Sequence, residues 1–455
     1  MTLRLLHYSD IENAYDDPDR ISRLAGCIDA WRDRRTLVIG TGDNTAPGVL
    51  SLVTEGEQAL DFFDAIAPDF GTFGNHDFDY GTDRTRELVR RSPQTWLTAN
   101  VREEAGNERF AADAGTAPYA IRDVGGSRVG MFGVTTPETA SINPNASDLT
   151  FTDPLAAAKR TVSRLREEGA DIVVALSHLG RGDEALANAV DVDVILGGHV
   201  HSERIEQRNG TLVTRPGVNG HVLLEVTFDG GPEPDVARHR VADAPRNEEV
   251  AELMHERKAR AGLDSVVATV DDPIERTQST TFRGESRIGN FVADAYRWAT
   301  DATVGLQNSG GIREGDPLSG DVTVGDLVSV LPFQERVVVA ELTGAELLDV
   351  FRQAHDPTIG FAEHDWWHGH MSGVELVWNR AESALESATI DGTEVRDDRT
   401  YSLATTEYLL HSDREFPTLD ASHRVETGDL QYEVLADYAR RFGIDPRVEG
   451  RIARR

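Results

Sequence analysis

In the first half of the chain, acidic, amide and imidazole side chains follow directly after short apolar stretches at five places. The residues are His7, Asp10 and Glu12; Asp43 and Asn44; Asn75, His76, Asp77 and Asp79; His178; and His199 and His201. Carboxylate oxygens, amide oxygens and imidazoles suit Mn, Fe, Zn, Co or Ni rather than thiophilic sites. A carboxylate can bridge two cations, and Asp43 is best placed for this, on a short turn after an apolar stretch. Paired cations suit phosphoryl transfer, because they activate water and neutralise phosphate oxygens.

Short apolar stretches that favour strands must position these side chains. They cover residues 3–7, 36–39, 70–73, 96–99, 128–134, 171–176 and 192–196, and amphipathic stretches lie between several of them. This alternation predicts an α/β domain. Such sheets bind ligands beyond the carboxyl ends of their strands, so we expect the five places to converge there. The alternative is that the Asp and Asn residues only cap helices, which explains one such place better than five.

The composition limits the possible partners. Acidic residues number 78 and basic residues 46, giving a formal charge of −32. This charge argues against binding to nucleic acid or to an anionic membrane. Only Lys159 and Lys258 are lysines, and an acidic, lysine-poor chain resembles proteins of halophilic archaea. A single cysteine, Cys27, excludes an intrachain disulfide and a thiolate metal cluster.

The expected location is cytoplasmic. No apolar run approaches the roughly 20 residues of a membrane span, and the first residues read as a strand rather than as a leader. We expect a monomer or a small homo-oligomer.

The ordered residues of the first half resemble the motifs of calcineurin-like metallophosphoesterases. The resemblance implies a four-layer α/β/β/α sandwich that binds two divalent metal ions. It assigns Asp10, Asp43 and His201 to one metal, and Asp43, Asn75, His178 and His199 to the other. It also implies that His76 contacts the transferring phosphate, that Asp79 orients His76, and that Asn75 helps to stabilise charge on the phosphate.

Glu12 departs from the family pattern, which usually has histidine at this position. A carboxylate is still a hard oxygen ligand, so we expect Glu12 to join the first metal and to favour Mn or Mg over Zn. The alternative is that Glu12 contacts the metal only through water. His7 is interpreted as a buried residue rather than as a ligand.

The second half resembles the C-terminal domain of the 5′-nucleotidase family. The resemblance rests on residues 285–295, 307–313, 323–327 and 331–333, followed by Thr343-Gly344 and Ser372-Gly373. It implies a metallophosphoesterase domain over 1–245, a linker helix over 246–262, and a smaller α+β substrate-binding domain over 263–455. Gly230 to Arg246, rich in Gly, Pro, Asp and Arg, is a plausible boundary region.

The residue types of the second half suit a nucleotide. Asn308, Gly310, Gly311 and Arg313 form a glycine-bearing loop whose backbone and guanidinium can reach phosphate or ribose oxygens. The resemblance implies that Phe333 and Tyr408 stack on the two faces of the base; the alternatives are a core position and an ordinary strand aromatic. Two departures concern Arg283 and Arg287, which match the family arginines only with a one-residue shift, and Asp413, which is offset by one.

The predicted function is that of a two-metal phosphohydrolase that removes phosphate from nucleotides. Alternatives are a 2′,3′-cyclic nucleotide phosphodiesterase, a nucleotide-sugar pyrophosphatase, a thiosulfohydrolase-like enzyme, and a nucleotide-binding sensor with an altered metal site. Residues 361–371 hold three histidines and two tryptophans. They are interpreted as a partly buried aromatic loop rather than as a third metal site or a substrate lid.

Overall fold

The computed structural model describes residues 2–231, 233–355, 366–412 and 414–455. The chain divides into two compact units, Met1–Ala261 (unit 1) and Gly262–Arg455 (unit 2). Among the described residues, none of the helices combines the length and the hydropathy that a bilayer crossing would need.

Unit 1 is built from two mixed sheets and the helices that cover them. Its strands are β1 (Leu3–Tyr8), β2 (Thr36–Thr41), β3 (Phe70–Thr72), β4 (Thr95–Trp96), β5 (Val101–Glu103), β6 (Ala120–Val124), β7 (Ser127–Thr135), β8 (Leu149–Phe151), β9 (Ile172–His178), β10 (Val194–Gly197), β11 (Arg204–Arg208), β12 (Thr211–Arg215), β13 (Val222–Phe228) and β14 (Asp235–Arg240). Its helices are α1 (Pro18–Trp31), α2 (Val49–Thr54), α3 (Gln58–Ile66), α4 (Thr82–Arg91), α5 (Thr139–Ile142), α6 (Pro154–Glu167), α7 (Asp183–Ala189) and α8 (Glu248–Arg260).

The two large sheets of unit 1 pack face to face. Their strand orders are β14-β13-β1-β2-β3-β4 and β11-β12-β10-β9-β7-β6. The central strands β1, β2 and β3 are mutually parallel, as are β7, β9 and β10. The core between the sheets combines residues from both, including Leu5, Ile39, Met131, Leu176 and Leu196. Parallel pairing brings the carboxyl ends of these strands to one edge of each sheet.

Helices cover the outer faces of both sheets. On the first sheet, Phe62 of α3 packs edge to face on Tyr8 of β1, with ring centroids 5.9 Å apart. On the second sheet, Val162 and Leu165 of α6 share a buried cluster with Val173 of β9. The layers therefore run α/β/β/α, and the four-layer prediction is confirmed.

The N-terminal helix of unit 1 follows from its local sequence. The Asp17 side chain caps α1 by accepting from the backbone N–H groups of Asp19 and Arg20, and Pro18 occupies the first turn. The apolar face buries Ile21, Leu24 and Ile28 together with Cys27, which is 2% exposed. Burial raises the pKa of the Cys27 thiol to about 11.

Helix α8 packs against α1 and α3 and lies within unit 1. Asn247 caps its first turn by accepting from the backbone N–H of Val250. Near its other end, Arg257 donates to both carboxylate oxygens of Asp61 in α3, one of them at 2.9 Å.

Unit 2 has an α+β architecture, as the resemblance implied. Its strands are β15 (Val266–Ile274), β16 (Val304–Asn308), β17 (Leu318–Thr323), β18 (Arg336–Thr343), β19 (Gly369–Ser372), β20 (Glu375–Asn379), β21 (Ala384–Ile390), β22 (Thr393–Glu394), β23 (Thr400–Thr406), β24 (Arg424–Leu430) and β25 (Ile452–Arg454). Its helices are α9 (Gln278–Thr281), α10 (Arg287–Thr300), α11 (Val324–Val330), α12 (Gly344–Gln353), α13 (Glu407–His411) and α14 (Gln431–Phe442). The main sheet has the order β19-β16-β23-β18-β24, and a smaller one has the order β22-β21-β20-β25.

Candidate active site

The polar residues predicted to bind metal lie where strands of unit 1 end. Asp10 and Glu12 follow β1, Asp43 follows β2, and Asn75 follows β3; His178 ends β9, and His199 and His201 follow β10. Four of these residues have left-handed backbone, with φ of +48° at Asp10, +46° at Glu12, +51° at Asp43 and +73° at His199. Such conformations are costly outside glycine and concentrate at functional sites.

The first cluster consists of Asp43, His178 and His199, whose ligand atoms converge. His178 is fully buried, with Nε2 3.0 Å from Asp43 Oδ2. Its Nδ1 lies 2.8 Å from the carbonyl oxygen of Thr41, which orients Nε2 toward the cluster. Asn75 joins from the next strand end, with Oδ1 2.8 Å from His199 Nδ1.

The second cluster consists of Asp10, Glu12 and His201. His201 Nε2 lies 3.0 Å from Glu12 Oε1. The Asp10 carboxylate accepts from Ser9 Oγ at 2.5 Å and from the His199 backbone N–H at 3.0 Å. Asp10 and Glu12 are buried, whereas the His201 side chain is half exposed.

The clusters fit divalent cations. His178 Nε2 and Glu12 Oε1 are both buried without a hydrogen-bond partner, although each lies close to a charged neighbour. Burying such atoms without a partner is costly, and a cation would remove the cost. Glycine makes the close approach possible, since a Cβ at Gly74 would lie 2.2 Å from Asp43 Oδ1. The donors are oxygen and imidazole nitrogen, as first-row transition ions require.

The electrostatics of the clusters also favour cations. Burial raises the pKa of Asp10; nearby His178 opposes this rise, while the Asp43 and Glu12 carboxylates add to it. Burial alone would lower the pKa of His178, but the adjacent Asp43 carboxylate outweighs burial and raises it. Several carboxylates therefore share a low-dielectric site with too little positive charge, which is what a divalent ion would supply.

Asp77 holds two of the ligand-bearing loops together. Its buried carboxylate accepts from the backbone N–H of Asp43 at 2.9 Å and of Gly74 at 2.8 Å. It also accepts from the backbone N–H and the hydroxyl of Thr45. The sequence analysis placed Asp77 in a motif without giving it a role; its position two residues after Asn75 is the only local signal.

His76 is positioned by acidic and amide groups. Its Nδ1 lies 2.9 Å from Asp79 Oδ2, and its backbone N–H donates to Asp43 Oδ1 at 2.7 Å. Burial opposes its charged form, but the carboxylates of Asp43 and Asp79 outweigh burial and raise the pKa of His76 to about 10. Asn143, which the sequence analysis missed, donates to Asp79 Oδ1 at 2.9 Å and to the Asn75 carbonyl at 2.8 Å. The contact with Asp79 therefore orients the His76 ring.

His7 does not belong to either cluster. It is fully buried behind them, with its ring nitrogens near the hydroxyls of Thr214 at 3.2 Å and Thr41 at 2.9 Å. Burial lowers its pKa to about 3, and Arg215 adds to this effect. His7 is a neutral residue of the supporting polar network.

A second group of predicted residues comes together in unit 2. The Arg313 guanidinium lies over the Phe333 ring, 4.7 Å from its centroid. Burial lowers the pKa of Arg313, although Glu415 and Tyr408 oppose this change by their proximity. Gly310 and Arg313 also line a cavity of about 470 Å³, a size suited to a small ligand. A Cβ at Gly311 would lie 2.2 Å from Gln307 Nε2 and 2.7 Å from Asn308 Oδ1, so a larger residue there would displace these two side-chain amides.

Tyr408 and Asn308 join this group through a residue that the sequence analysis missed. Glu415 accepts from the Tyr408 hydroxyl at 2.8 Å and from Asn308 Nδ2 at 2.7 Å. His368 Nε2 lies 2.7 Å from the same carboxylate. Tyr408 lies seven residues before Glu415, but Asn308 and His368 lie 107 and 47 residues away, so no local spacing signals their contacts.

Two of the predicted substrate contacts are not brought to this group. Arg287 donates to Asp272 Oδ2 at 2.7 Å and to the Pro446 carbonyl at 2.9 Å. Arg283 is exposed, and its carbonyl oxygen accepts from Arg454 at 3.2 Å. Asp413 lies outside the described residues.

The described part of the histidine- and tryptophan-rich segment, residues 366–371, is largely buried. Trp367, His368 and His370 are each 0% exposed, and Trp366 packs on Phe282 with ring centroids 4.2 Å apart. Residues 361–365 lie outside the described residues. The described part supplies core packing and the His368 contact to Glu415.

Comparison with known proteins connects both sites to one family. Residues 3–203 match the family described as calcineurin-like phosphoesterase, and residues 266–421 match the 5′-nucleotidase C-terminal domain. The chain is 25% identical to a trifunctional nucleotide phosphoesterase protein of Bacillus subtilis over 99% of its own length, spanning 35% of that relative. It is 23% identical to a 5′-nucleotidase of Diplobatis ommata, over 99% of this chain and 89% of the relative.

A solved structure shares the whole fold. The chain resembles a 5′-nucleotidase precursor of Thermus thermophilus with a TM-score of 0.72 and 25% identity, covering 100% of this chain and 99% of that one. The phosphoesterase match lies in unit 1, which holds both metal clusters. The C-terminal domain match lies in unit 2, which holds the group around Glu415. The two matches therefore identify a calcineurin-like phosphoesterase domain followed by a 5′-nucleotidase C-terminal domain, a combination that matches the 5′-nucleotidase family.

Proposed function

We propose that this chain is a two-metal phosphohydrolase that removes the phosphate from nucleotides. The observation that carries the proposal is the pair of buried clusters at the strand ends, with His178 Nε2 and Glu12 Oε1 lacking hydrogen-bond partners. Asp43 would bridge the two ions, His178, His199 and Asn75 would complete one site, and the remaining ligands are Asp10, Glu12 and His201. Bound divalent cations would supply a nucleophile from water at neutral pH and neutralise the phosphate oxygens.

His76 acts on the substrate rather than on the metal in this proposal. Its ring is held by Asp79, which is itself held by Asn143. An imidazole in that position would donate to a phosphate oxygen and stabilise the charge that develops during transfer. The Asn75 amide, whose Oδ1 lies 2.8 Å from His199 Nδ1, would assist in placing the phosphate.

Unit 2 would bind the nucleoside part. Phe333 and Tyr408 offer flat surfaces for a base, and Arg313, Asn308, Gly310 and Gly311 offer polar groups for phosphate or ribose oxygens. Asp413 stays a predicted contact, and the positions of Arg283 and Arg287 make them weaker candidates.

Manganese is the metal that we propose for the site formed by Asp10, Glu12 and His201. Glu12 adds a carboxylate where the family usually has a neutral imidazole, and its buried Oε1 lies 3.0 Å from His201. An extra anionic oxygen favours a hard cation over zinc.

We further propose that the protein is of a halophilic archaeal type and functions in concentrated salt. The support is the formal charge of −32 with two lysines among 46 basic residues. The cytoplasmic location, the monomeric or small homo-oligomeric state, and the lack of nucleic-acid or membrane partners stay predictions.

A phosphate-release assay tests the proposed function. The purified protein, in molar KCl, is offered AMP, UMP, cyclic nucleotides, UDP-glucose and p-nitrophenyl phosphate, with EDTA or with added Mn²⁺. We expect phosphate from the monophosphates with Mn²⁺ and none with EDTA. The alternative reactions release no inorganic phosphate, so the nucleotide products are also separated by chromatography. A nucleoside monophosphate that forms faster from a cyclic nucleotide or from UDP-glucose than phosphate forms from AMP would favour those alternatives, and nucleotide binding without turnover would favour the sensor.

A further inference from the structure

The Glu415 carboxylate is buried at the centre of the unit 2 cluster. It is 6% exposed and accepts hydrogen bonds on both oxygens. Oε1 accepts from the Tyr408 hydroxyl at 2.8 Å, whereas Oε2 accepts from Asn308 Nδ2 and lies 2.7 Å from His368 Nε2. Helix α13, the end of β16 and the residue before β19 therefore meet at one acidic side chain.

The surroundings keep this carboxylate ionised. Burial acts to raise its pKa, but the contacts from His368, Tyr408 and Asn308 outweigh burial and hold the pKa of Glu415 below its usual range. A buried anion with all these partners in place orients each of them, because charge-assisted hydrogen bonds are short and strong.

His368 anchors Glu415 to the core. The imidazole is fully buried and stacks between Phe282 and Phe416, with ring centroids 5.7 Å and 5.9 Å away. Packing on both faces fixes the plane of the ring, and the ring nitrogen in turn fixes the carboxylate. His368 thus contacts the same carboxylate oxygen as Asn308.

Tyr408 needs such support because its ring is 44% exposed. Its hydroxyl is held by Glu415, and its backbone N–H donates to Glu335 Oε2 at 2.9 Å. The Asn308 amide is fixed in the same way, since its Oδ1 accepts from Gln307 Nε2 at 2.7 Å while its Nδ2 donates to Glu415. An exposed ring held at both ends offers a preformed flat surface and loses little conformational entropy when a base stacks on it.

We propose that Glu415 is a positioning residue that presets the Tyr408 ring and the Asn308 amide for the nucleoside, with His368 as its anchor. The proposal rests on the proposed nucleotidase function. Glu415 acts through its two neighbours and does not need to touch the substrate.

The test measures kcat and KM of the full chain with Mn²⁺ for AMP and for p-nitrophenyl phosphate, which has no nucleoside. Glu415→Ala leaves two buried donors and the Tyr408 hydroxyl without their acceptor. We expect its KM for AMP to rise about tenfold more than its KM for p-nitrophenyl phosphate. Glu415→Gln should recover most of the loss, because its carbonyl oxygen can still accept from Asn308 and His368.

A double-mutant cycle keeps the test independent of folding defects. Tyr408→Phe removes only the hydroxyl and should raise the KM for AMP about threefold. In the Glu415→Ala background the same change should add nothing, because the partner is already gone. If Glu415→Ala does not fold, Tyr408→Phe measured alone decides the proposal.

Glu285→Ala is the matched control. Glu285 also accepts from an asparagine amide, Asn290 Nδ2 at 2.7 Å, and from the backbone N–H groups of Glu449 and Gly450. Its removal should leave the AMP-to-p-nitrophenyl phosphate ratio unchanged.

Equal losses on both substrates, an additive cycle, or an unchanged KM for AMP in Tyr408→Phe would overturn the positioning role. A parent protein that hydrolyses neither substrate with Mn²⁺ would instead refute the proposed function, so the two failures are distinguishable.

Discussion

The two candidate sites are built in different ways. The metal clusters of unit 1 consist of residues that directly follow strands, and their backbone is fixed in left-handed conformations at Asp10, Glu12, Asp43 and His199. The unit 2 cluster consists of side chains that hold one another, with Glu415 as the shared acceptor. The first design fixes ligands by the main chain, whereas the second fixes an exposed aromatic surface by a polar network. We therefore expect damage to the first to abolish chemistry and damage to the second to change substrate preference.

The largest expected effect comes from removing the Asp43 carboxylate, which we propose to bridge the two metal ions. Asp43→Asn should lose at least one metal ion and nearly all phosphatase activity on every substrate, because the amide is a poorer bridge between cations. Elemental analysis beside phosphate release checks this. Two bound metals and full activity in the variant would exclude the bridge.

His76 tests whether a residue of unit 1 acts on phosphate without holding metal. His76→Asn should lower kcat by about 10²–10⁴-fold, the range for a positioned acid, base or electrostatic group. Metal content should stay near that of the parent. A variant that loses metal along with activity would make His76 a ligand.

The two aromatic residues of unit 2 test its role in substrate preference. Phe333→Ala and Tyr408→Ala should each weaken the binding of AMP by roughly 1–3 kcal/mol while sparing p-nitrophenyl phosphate. KM values for both substrates are the measurement. Losses of the same size on both would mean that the rings are structural.

Substitution of Glu12 tests whether this residue binds a metal ion and sets the preferred ion. Glu12→His should keep a folded, two-metal protein but shift the activating ion from Mn²⁺ toward Zn²⁺ or Co²⁺, because nitrogen-rich sites favour those ions. Glu12→Ala should weaken the ion at Asp10 and His201 and leave the other in place. Metal titration of the parent and both variants provides the check, and identical behaviour in all three would remove Glu12 from the ligand set.

Salt should affect the stability and the activity of the whole chain, and we expect this effect to be smaller than those of the substitutions above. A formal charge of −32 produces self-repulsion that counterions screen. The unfolding temperature and the activity should both rise as KCl approaches molar concentration. A protein that is most stable in dilute buffer would contradict the halophilic proposal.

The site of unit 1 could be predicted more fully than that of unit 2, because its residues follow strands whereas those of unit 2 are held by contacts between distant side chains. The α/β class and the convergence of the polar residues could be predicted because these residues follow apolar strands in order along the chain. The four layers and the assignment of ligands to each metal depended on the family resemblance. Gly74 and Asp77 lie within the same short segment as Asn75, so the support of that loop is also local. Asn143 could not be predicted, because its contact with Asp79 spans 64 residues.

Fewer contacts of the unit 2 site could be predicted from the sequence. Phe333, Arg313 and Tyr408 could be chosen only through a family resemblance, since an aromatic residue after a strand is as common in a core. Glu415 and His368 lie 47 residues apart, and Glu415 and Asn308 lie 107 apart, so no spacing rule connects them. Arg287 contacts Asp272 and the Pro446 carbonyl, so its proximity in sequence to the predicted motif gives no information on its partners, and its substrate contact stays a prediction.

The burial of Cys27 in α1 has a practical consequence for measuring motion in this protein. The thiol is 2% exposed, and its pKa of about 11 leaves almost no thiolate at neutral pH. Maleimide reagents should therefore leave the native protein unlabelled, and a cysteine introduced on the surface of either unit would be the site that reacts. Fluorophore pairs could then report the distance between the two units during turnover without any need to replace the native cysteine.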